Sequence, residues 1–429
     1  MDIRYGRMRA FCRCTREVPR LAILLLITCS SASAQELETS TPTTRAEAIA
    51  EERAEKIASL WPERQSPMVA RVNGLVDRGL GEGLDFGKGA NGPQLVLGGM
   101  RSGQGMSVGI GYRRSDLWRE RLGYRVTARG TLQGAYMIDF NLDFQGLRTE
   151  RTFMRWYTKL EDSPGIDYYG AGNDSSRENQ THFAYRDVTS DVHAGFEATR
   201  FIRLGVTGGY MRSRTARGND DFPPIDEVFS PQELPGFGDD TRYTRLGAFA
   251  VVDSRDSRTG PRRGGLYGVQ YREYWDLEEK AFAFRQTNWE FQQYLPYFNG
   301  SRVVALRAAA VVSFPKEGNQ LPVYLQPVLG GNDDLRGFAR YRFRDNHSVY
   351  LGVEHRWHVS STFEMAVFLD AGKVVPLTRQ VDATHLKYSG GIGLRVWLRS
   401  SVITRIDFAG SREGVRAMWT FSDIFQAGW

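Results

Sequence analysis

Arginines and carboxylates that recur at every second position are the residues of this 429-residue chain best placed to do chemistry. Alternate side chains of an extended strand share one face, so the pattern collects these charges on one polar side. Guanidinium groups fit carboxylates well, so we favour ion pairs between these arginines and acids. The alternative is that the arginines line a path for anions. The arginines are Arg113, Arg125, Arg203, Arg356, Arg395 and Arg405, and the acids are Asp139, Asp143, Glu354, Asp370 and Asp407.

No pattern typical of a catalytic or metal centre accompanies these charges. His355 and His358 lie three residues apart in a strand pattern, so they point to opposite faces and cannot share one metal ion. Asp333 and Asp334 could hold a divalent cation, but we favour solvated loop acids. We find neither a phosphate-binding loop nor a nucleophile elbow. The sequence predicts a protein that is not an enzyme and needs no cofactor or metal.

The first 34 residues have the three parts of a secretory signal. They hold six arginines, the apolar run Leu21–Ile27 and the small-residue site Ala32-Ser33-Ala34. The apolar run is too short to span a bilayer. We expect cleavage after Ala34, the alternatives being an interfacial helix or a lipoprotein signal at Cys29.

Removal of this segment would change the chain's composition. All three cysteines, Cys12, Cys14 and Cys29, belong to it, so the mature chain would form no disulfide and no cysteine-based metal site. Six arginines against Asp2 and Glu17 account for +4 of the net charge of +6, which leaves +2. Basicity therefore gives no support to a nucleic-acid partner.

Residues 35–90 form a periplasmic segment with one predicted helix at about 45–60. Thr44-Arg45-Ala46-Glu47 fits a capping box, and Pro62 ends the helical pattern. The helix either docks on another surface or is a marginal helix before the main domain. Its apolar side holds Ala46, Ile49, Ala50, Ala54, Ile57 and Trp61.

In residues 91–429, apolar and polar side chains alternate with a period of two, which indicates strands. Phe363, Val367 and Leu369, for example, alternate with polar or small residues. We predict sixteen strands, an even number as in single-chain bacterial barrels. They lie near 95–101, 105–113, 121–131, 136–144, 150–160, 182–198, 200–213, 241–254, 264–276, 281–294, 301–313, 349–357, 363–370, 388–398, 402–408 and 415–421.

A soluble sandwich would also alternate, but its interior would be apolar. Here one side is apolar and the other holds charges and glycine, as in a membrane barrel. The mean hydropathy is −0.42, and in a barrel only alternate residues need to face lipid. Aromatic residues placed near the predicted strand ends suggest an interfacial girdle. They are Trp156, Tyr157, Trp275, Trp289, Tyr294, Tyr297, Trp357 and Trp397.

The predicted fold class is therefore all-β, a transmembrane antiparallel β-barrel of about sixteen strands in the bacterial outer membrane. One long connection, from Pro315 to about Asn346, interrupts the regular spacing and contains Leu335-Arg336-Gly337-Phe338. Long loops of this kind are usually functional or disordered. Further motifs lie in order along the chain: Tyr168–Asp174, Asp253–Asp256, Pro261–Gly264, Phe368–Gly372 and Gly391–Arg395.

These motifs together resemble the bacterial surface antigen superfamily, the BamA/TamA-type assembly and translocation proteins. The resemblance implies that the long loop folds into the lumen and that Arg336 meets Glu354 and Asp370 on the wall. The alternation independently puts both acids on the polar side. The resulting lumen-loop lock comprises Leu335, Arg336, Gly337, Phe338, Glu354, Asp370 and Gly372. About 60 residues separate Ala34 from the first strand, which suggests a branch of the family without its periplasmic POTRA domains.

The resemblance implies a role in outer-membrane biogenesis or translocation, with proteins or lipids moving through a lateral seam. Gly98, Gly99, Gly103 and Gly105 would weaken a seam strand. A passive, porin-like channel is the alternative, and a lipid-modifying barrel enzyme is a third hypothesis that no nucleophile–base pair supports. Expected partners are outer-membrane lipid, lipopolysaccharide and client outer-membrane or secreted proteins. A homo-oligomer is possible, and no nucleic acid is expected.

Overall fold

The structure is a computed structural model that describes residues 91–420, except 99, 101–105, 148, 220–221, 279, 383 and 399–400. It also describes Arg45, Ile49, Glu51 and Glu52, all four helical and all within the predicted 45–60 helix. The predicted signal with its cleavage site at Ala34 and the remainder of that helix lie outside the described residues. The chain divides into two units, Met1–Lys56 and Ile57–Trp429. Within the part of the chain described here, no helix has the length and apolar character needed to cross a bilayer.

The second unit is built on one sixteen-stranded antiparallel sheet in which each strand pairs with its neighbours along the chain. Two further short strands, β12 and β13, pair only with each other and lie between β11 and β14. The strands are β1 Gly92–Leu97, β2 Ser107–Leu117, β3 Leu122–Thr131, β4 Tyr136–Gln145, β5 Thr152–Tyr168, β6 Thr181–Glu197, β7 Ile202–Arg217, β8 Asp240–Asp253, β9 Gly264–Asp276, β10 Phe284–Tyr297, β11 Arg302–Pro315, β12 Val328–Leu329, β13 Phe343–Arg344, β14 His347–His358, β15 Phe363–Val375, β16 Lys387–Leu398, β17 Ser401–Ser411 and β18 Gly414–Thr420. The described helices in this unit are single turns at Arg177–Asn179, Ile225–Val228, Val323–Leu325 and Thr378–Gln380.

The prediction of sixteen strands is confirmed. Several predicted strand ends differ from the structure by three to eight residues, and the physical reason is clear at two of them. β1 ends at Leu97 instead of extending to 101, because Gly98 has a φ of +72° and its backbone N–H turns to the Ser107 carbonyl at 2.9 Å. β5 continues to Tyr168, well past the predicted end at 160, because a register shift between Ser163 and Ile166 lets its pairing with β6 resume. An irregularity of this type inserts residues without ending a strand.

The two faces of the sheet differ sharply in polarity. On β7, Val206 is 60% exposed whereas its neighbour Thr207 is 3% exposed. On β15, Leu369 is 51% exposed and Asp370 is completely buried. Exposed apolar side chains on one face and buried polar ones on the other are the inverse of a soluble protein. This is the pattern of a barrel whose outer face contacts lipid.

The predicted aromatic girdle is wrong for three of its members. Tyr157 lies on the inner face, at an odd position of β5 like the completely buried Glu161. Tyr294 and Trp397 are buried on the inner face. Tyr294 is two residues from the buried Gln292, and Trp397 is two residues from the buried Arg395, so each lies on the same face as that neighbour. The face of a residue is therefore decided by its odd or even position in the strand (its parity), and not by its nearness to a strand end.

The turns at the two ends of the strands differ in length. At one end, most turns have four to six residues, at 118–121, 146–151, 198–201, 298–301 and 359–362. The three longest loops, 169–180, 218–239 and 316–346, are all at the other end. Outer-membrane barrels have short periplasmic turns and longer extracellular loops, so β1 starts at the periplasmic end. Among the long loops, Lys387 at the start of β16 binds Asp174 beyond β5 at 2.8 Å. The sheet therefore curls until loops from distant strands meet.

An arginine on the apolar face tests the assignment of inside and outside. Val206→Arg should lower the free energy of unfolding in lipid vesicles by about 2–4 kcal/mol, because Val206 lies near the middle of the apolar outer row of β7. The measurement is a urea titration followed by tryptophan fluorescence, with Val206→Leu as the control. A difference below about 0.5 kcal/mol between the two variants, the usual range for surface substitutions, would contradict a lipid-facing Val206.

Candidate functional site

The 316–346 segment has regular structure although the sequence predicts only a long loop. β12 and β13 form a small ladder, with Val328 opposite Arg344 and Leu329 opposite Phe343. Near its start, the buried Val323 and Tyr324 pack with inward-facing residues of β5 and β6. A buried loop must satisfy its backbone polar groups, and the two-strand ladder does so for part of this one. The segment therefore folds back along the inner wall.

Arg336 lies at the centre of the inner contacts of this loop and is completely buried. Its Nε and Nη2 donate to the two oxygens of Asp370 at 2.9 and 2.8 Å, and its Nη1 donates to Glu354 at 2.8 Å. Burial opposes the charged form, but the nearby carboxylates of Asp370 and Glu354 hold the pKa of Arg336 above its usual value. The guanidinium therefore stays charged between acids from two adjacent strands, β14 and β15.

The other residues of the predicted lock lie around this ion pair. Leu335 and Phe338 are buried in one apolar cluster with Phe343 and Val374, and the Phe338 and Phe343 rings meet edge to face at 5.1 Å. A side chain added at Gly337 would lie 2.7 Å from the Gly410 carbonyl oxygen.

Gly372 makes room for the loop on β15. A side chain there would approach Leu329 at 3.0 Å and the carbonyl oxygen of Val349 at 2.8 Å. The structure thus places all seven predicted residues within one contiguous region of the inner wall.

The acids of the wall also bind arginines of neighbouring strands. Glu354 accepts from Arg356 at 2.7 Å and lies 2.9 Å from Arg395. Asp407 on β17 accepts from Arg395 at 2.9 Å and lies 3.1 Å from Arg405. Three of the predicted inward arginines are therefore ion-paired within this group, which we call the luminal ion network: Arg336, Glu354, Arg356, Asp370, Arg395, Arg405 and Asp407. Outside it, Asp139 pairs with Arg129 and Asp143 with Arg155.

Two aromatic residues around the Arg336–Asp370 ion pair are not predicted from the sequence. The guanidinium carbon lies 3.3 Å from the centroid of the Phe368 ring, and the Tyr350 hydroxyl donates to Asp370 at 2.9 Å. Phe368 and Tyr350 have the same parity as Asp370 and Glu354 on their strands. The same alternation would have found both residues had aromatic contacts to the arginine been considered.

A second inward contact comes from the 254–263 connection at the opposite end of the strands. Arg262 donates to the Gly300 carbonyl at 2.6 Å and to Glu364 at 2.6 Å, and lies 2.5 Å from the His358 ring nitrogen. His355 instead contacts Tyr297 on the outer face. The two histidines thus lie on opposite faces, and no group of His, Cys, Asp or Glu among the described residues is arranged to hold a metal ion.

The predicted solvation of the Asp333-Asp334 pair is wrong for Asp334. Its Oδ1 accepts from the backbone N–H groups of Gly330 and Leu335, each at 2.6 Å, so the side chain turns back onto its own loop. Burial raises the pKa of Asp334 to about 6. Asp333 remains exposed, with one oxygen 3.9 Å from Arg405.

An antiparallel sixteen-stranded barrel with an apolar outer face, a charged inner face and an inward loop is an outer-membrane β-barrel. The chain matches the Omp85 superfamily domain over residues 101–410. It belongs to the Omp85 superfamily, whose barrels are proteins of the bacterial outer membrane.

Solved structures with the same fold include BamA from Haemophilus ducreyi lacking POTRA domains 1–3. It is 15% identical, with a TM-score of 0.57 over 78% of this chain and 71% of that one. CdiB from Escherichia coli is 12% identical with a TM-score of 0.49, covering 75% of this chain and 60% of that one. CdiB from Acinetobacter baumannii is 11% identical with a TM-score of 0.44, covering 73% and 55%. A search of curated proteins finds no match.

Removal of the central arginine should destabilise the barrel interior. Arg336→Ala leaves Asp370 and Glu354 buried without their shared cation, and we expect a loss of about 3–5 kcal/mol in the free energy of unfolding. Arg340→Ala, in the same loop but only partly buried, is the matched control and should cost less than about 1 kcal/mol. Urea titrations in lipid vesicles measure both. Equal losses in the two variants would contradict a special role for Arg336.

Asp334 should make the stability of the loop depend on pH. Its folded-state pKa is raised, so the neutral form favours the folded loop and stability falls as pH rises through the interval from about 4 to about 6. Asp334→Asn keeps an acceptor oxygen for both backbone donors and removes the charge. We expect the difference in stability between variant and wild type to be small near pH 4 and to increase in favour of the variant up to about pH 6. Limited proteolysis of the loop across this range measures it, and a constant difference would contradict the assignment.

Proposed function

We propose that this barrel inserts or translocates client outer-membrane or secreted polypeptides, and that the clients leave through a lateral seam between β1 and β18. The observation that carries the proposal is the position of these two strands at the ends of the sheet. Among the described residues, β1 pairs with β2 and β18 pairs with β17. β1 has six residues, whereas the strands of this sheet from β2 to β17 have between ten and seventeen.

A short first strand makes a weak junction. A strand of six residues can offer fewer ladder hydrogen bonds to a partner than the long strands at the centre of the sheet, and each such bond contributes about 1 kcal/mol net. The junction between the terminal strands is therefore the least costly place to open the sheet. An opening there would expose two strand edges, which are templates for pairing with another chain.

The interior supports the same proposal against a permanently open channel. The 316–346 segment lies along the inner wall, and its buried arginine is fixed by two carboxylates. A buried ion pair of this type is costly to separate. The loop therefore obstructs the lumen in the resting state, as the resemblance to assembly and translocation barrels implies.

The proposed role is non-enzymatic. Its partners would be unfolded client proteins together with the outer-membrane lipid and lipopolysaccharide around the barrel, and a homo-oligomer is compatible with it. The lumen-loop lock would act as a structural element that holds the loop, with no bond made or broken in a substrate.

A reversible disulfide across the seam tests the proposal. Cysteines are placed at the inward-facing Gln94 or Val96 of β1 and at Arg416 or Met418 of β18, with Cys12, Cys14 and Cys29 changed to serine. The protein in lipid vesicles should accelerate the membrane insertion of an unfolded eight-stranded outer-membrane barrel, measured by gel shift. Oxidation should abolish the acceleration and reduction should restore it.

The matched control is a disulfide inside the sheet, with Gln270→Cys on β9 and Asn288→Cys on β10, which lie opposite each other. This bond should leave the insertion rate unchanged. The proposal is wrong if the oxidised seam variant retains its activity, or if the wild-type protein does not accelerate insertion.

Conductance separates this proposal from a porin-like channel. A plugged barrel should be nearly closed in a planar bilayer and should conduct steadily after deletion of residues 318–344. A porin would conduct in both forms. Large, steady conductance of the wild-type protein would favour the passive channel.

A further inference from the structure

Four arginines form a patch on the outer face of the barrel, at the end of the strands that carries the long loops. On β7 the outward row is apolar from Ile202 to Tyr210 and then changes to Arg212 and Arg214. Neighbouring strands change in the same way, at Arg186 on β6 and at Arg242 on β8. The change from apolar to cationic therefore occurs at one level across three adjacent strands.

Strand pairing brings the four side chains together. Arg186 lies directly opposite Arg214, and Arg212 lies directly opposite Arg242. Residues opposite each other on one face have Cβ atoms about 5 Å apart. The four guanidinium groups therefore lie on adjacent rungs of one surface, which we call the outer arginine patch.

The height of the patch matches the boundary of the apolar band. A strand rises about 3.3 Å per residue and is tilted by about 40°, so Arg212 lies roughly 25 Å above Ile202 along the membrane normal. The apolar band of an outer-membrane barrel is also about 25 Å tall. The patch therefore lies at the level of the lipid headgroups in the extracellular leaflet.

Neighbouring acids orient the arginines without using all of their donors. Asp240 accepts from both Arg212 and Arg214, at 2.5 and 2.6 Å, and Asp162 pairs with Arg186. Each arginine has five N–H donors, and the side chains of Arg186 and Arg214 remain 56% and 55% exposed. Donors remain available on the lipid-facing side, and guanidinium groups bind phosphate through paired hydrogen bonds.

We propose that the outer arginine patch is a binding site for the phosphorylated headgroup of a lipid in the extracellular leaflet. The acyl chains lie against the apolar rows below, formed by Val188, Val206 and Tyr210, while the phosphate contacts Arg186, Arg212 and Arg214. The site requires only the outer face of the barrel and is independent of the seam and of the lumen loop.

The test measures binding of diphosphoryl lipid A to the full-length protein in neutral detergent by native mass spectrometry. Arg212→Gln with Arg214→Gln should weaken binding at least about tenfold, since charge-assisted hydrogen bonds to phosphate are lost. The matched control is Arg114→Gln with Arg119→Gln, which removes the same charge at the opposite end of the strands, where Arg114 also pairs with an aspartate. It should bind like the wild type.

Three results would overturn the proposal: equal binding by the patch variant and the wild type, equal loss in the control variant, or equal binding of dephosphorylated lipid A. Displacement of the lipid by inorganic phosphate at the same concentration would indicate a site for free phosphate instead of a headgroup. Should the double variant fail to fold, Arg186→Gln alone should weaken binding about threefold, and an unchanged affinity would reject the site.

Discussion

The burial of one positive charge constrains the interior of this barrel more than any other interaction. The Arg336 side chain has no contact with solvent, and removing an ion from water costs several kcal/mol even after the surroundings relax. The charge is therefore stable only where carboxylates meet it, and Asp370 and Glu354 do so from adjacent strands. A loop attached to this arginine can occupy only one position on the wall. The apolar cluster of Leu335 and Phe338 and the short β12–β13 ladder then form around that position.

Strand alternation explains how much of this arrangement the sequence predicts. A period of two assigns every residue of a strand to one of two faces. It therefore predicts the sixteen strands and places Glu354 and Asp370 on the inner face before any contact is known. The partner of these acids is in a loop, which has no period. Only the motif Leu335–Phe338 and its resemblance to a known family pointed to Arg336.

The residues that sequence reasoning missed follow from the same limit. Arg262 reaches Glu364 and the Gly300 carbonyl from a connection whose path no alternation describes. Asp334 accepts two backbone hydrogen bonds of its own loop, a local geometry that composition does not reveal. The prediction for Trp397 is wrong for a different reason: its place in the alternation, two residues from the buried Arg395, decides its face, and nearness to the strand end does not. The period was the more reliable guide wherever the two disagreed.

The distribution of charge contacts shows which part of the barrel resists opening. Arg262, from the periplasmic end, binds Glu364 on β15, and Arg356 on β14 interacts electrostatically with the same acid. Arg356 in turn binds Glu354, which binds Arg336 from the extracellular end. Connections from both ends of the strands thus meet on β14 and β15, where separating the wall would expose several paired charges at once.

β18, at one end of the sheet, is held by hydrogen bonds of a different kind. The described contacts of the β17–β18 turn are at the extracellular end, where Arg342 binds Glu413 at 2.9 Å and Ser411 donates to the Gly337 carbonyl at 2.7 Å. These bonds tie the start of β18 to the same loop that carries Arg336. At the other end of the described strand, the Thr420 hydroxyl accepts from Arg405 at 2.9 Å and the Trp419 indole donates to Thr404 at 2.6 Å, so β18 is held to β17 there by its own side chains. Under the proposed function, movement of the loop would therefore loosen the extracellular end of β18 first, and the loop and the proposed seam are connected through the contacts of Arg342 and Ser411.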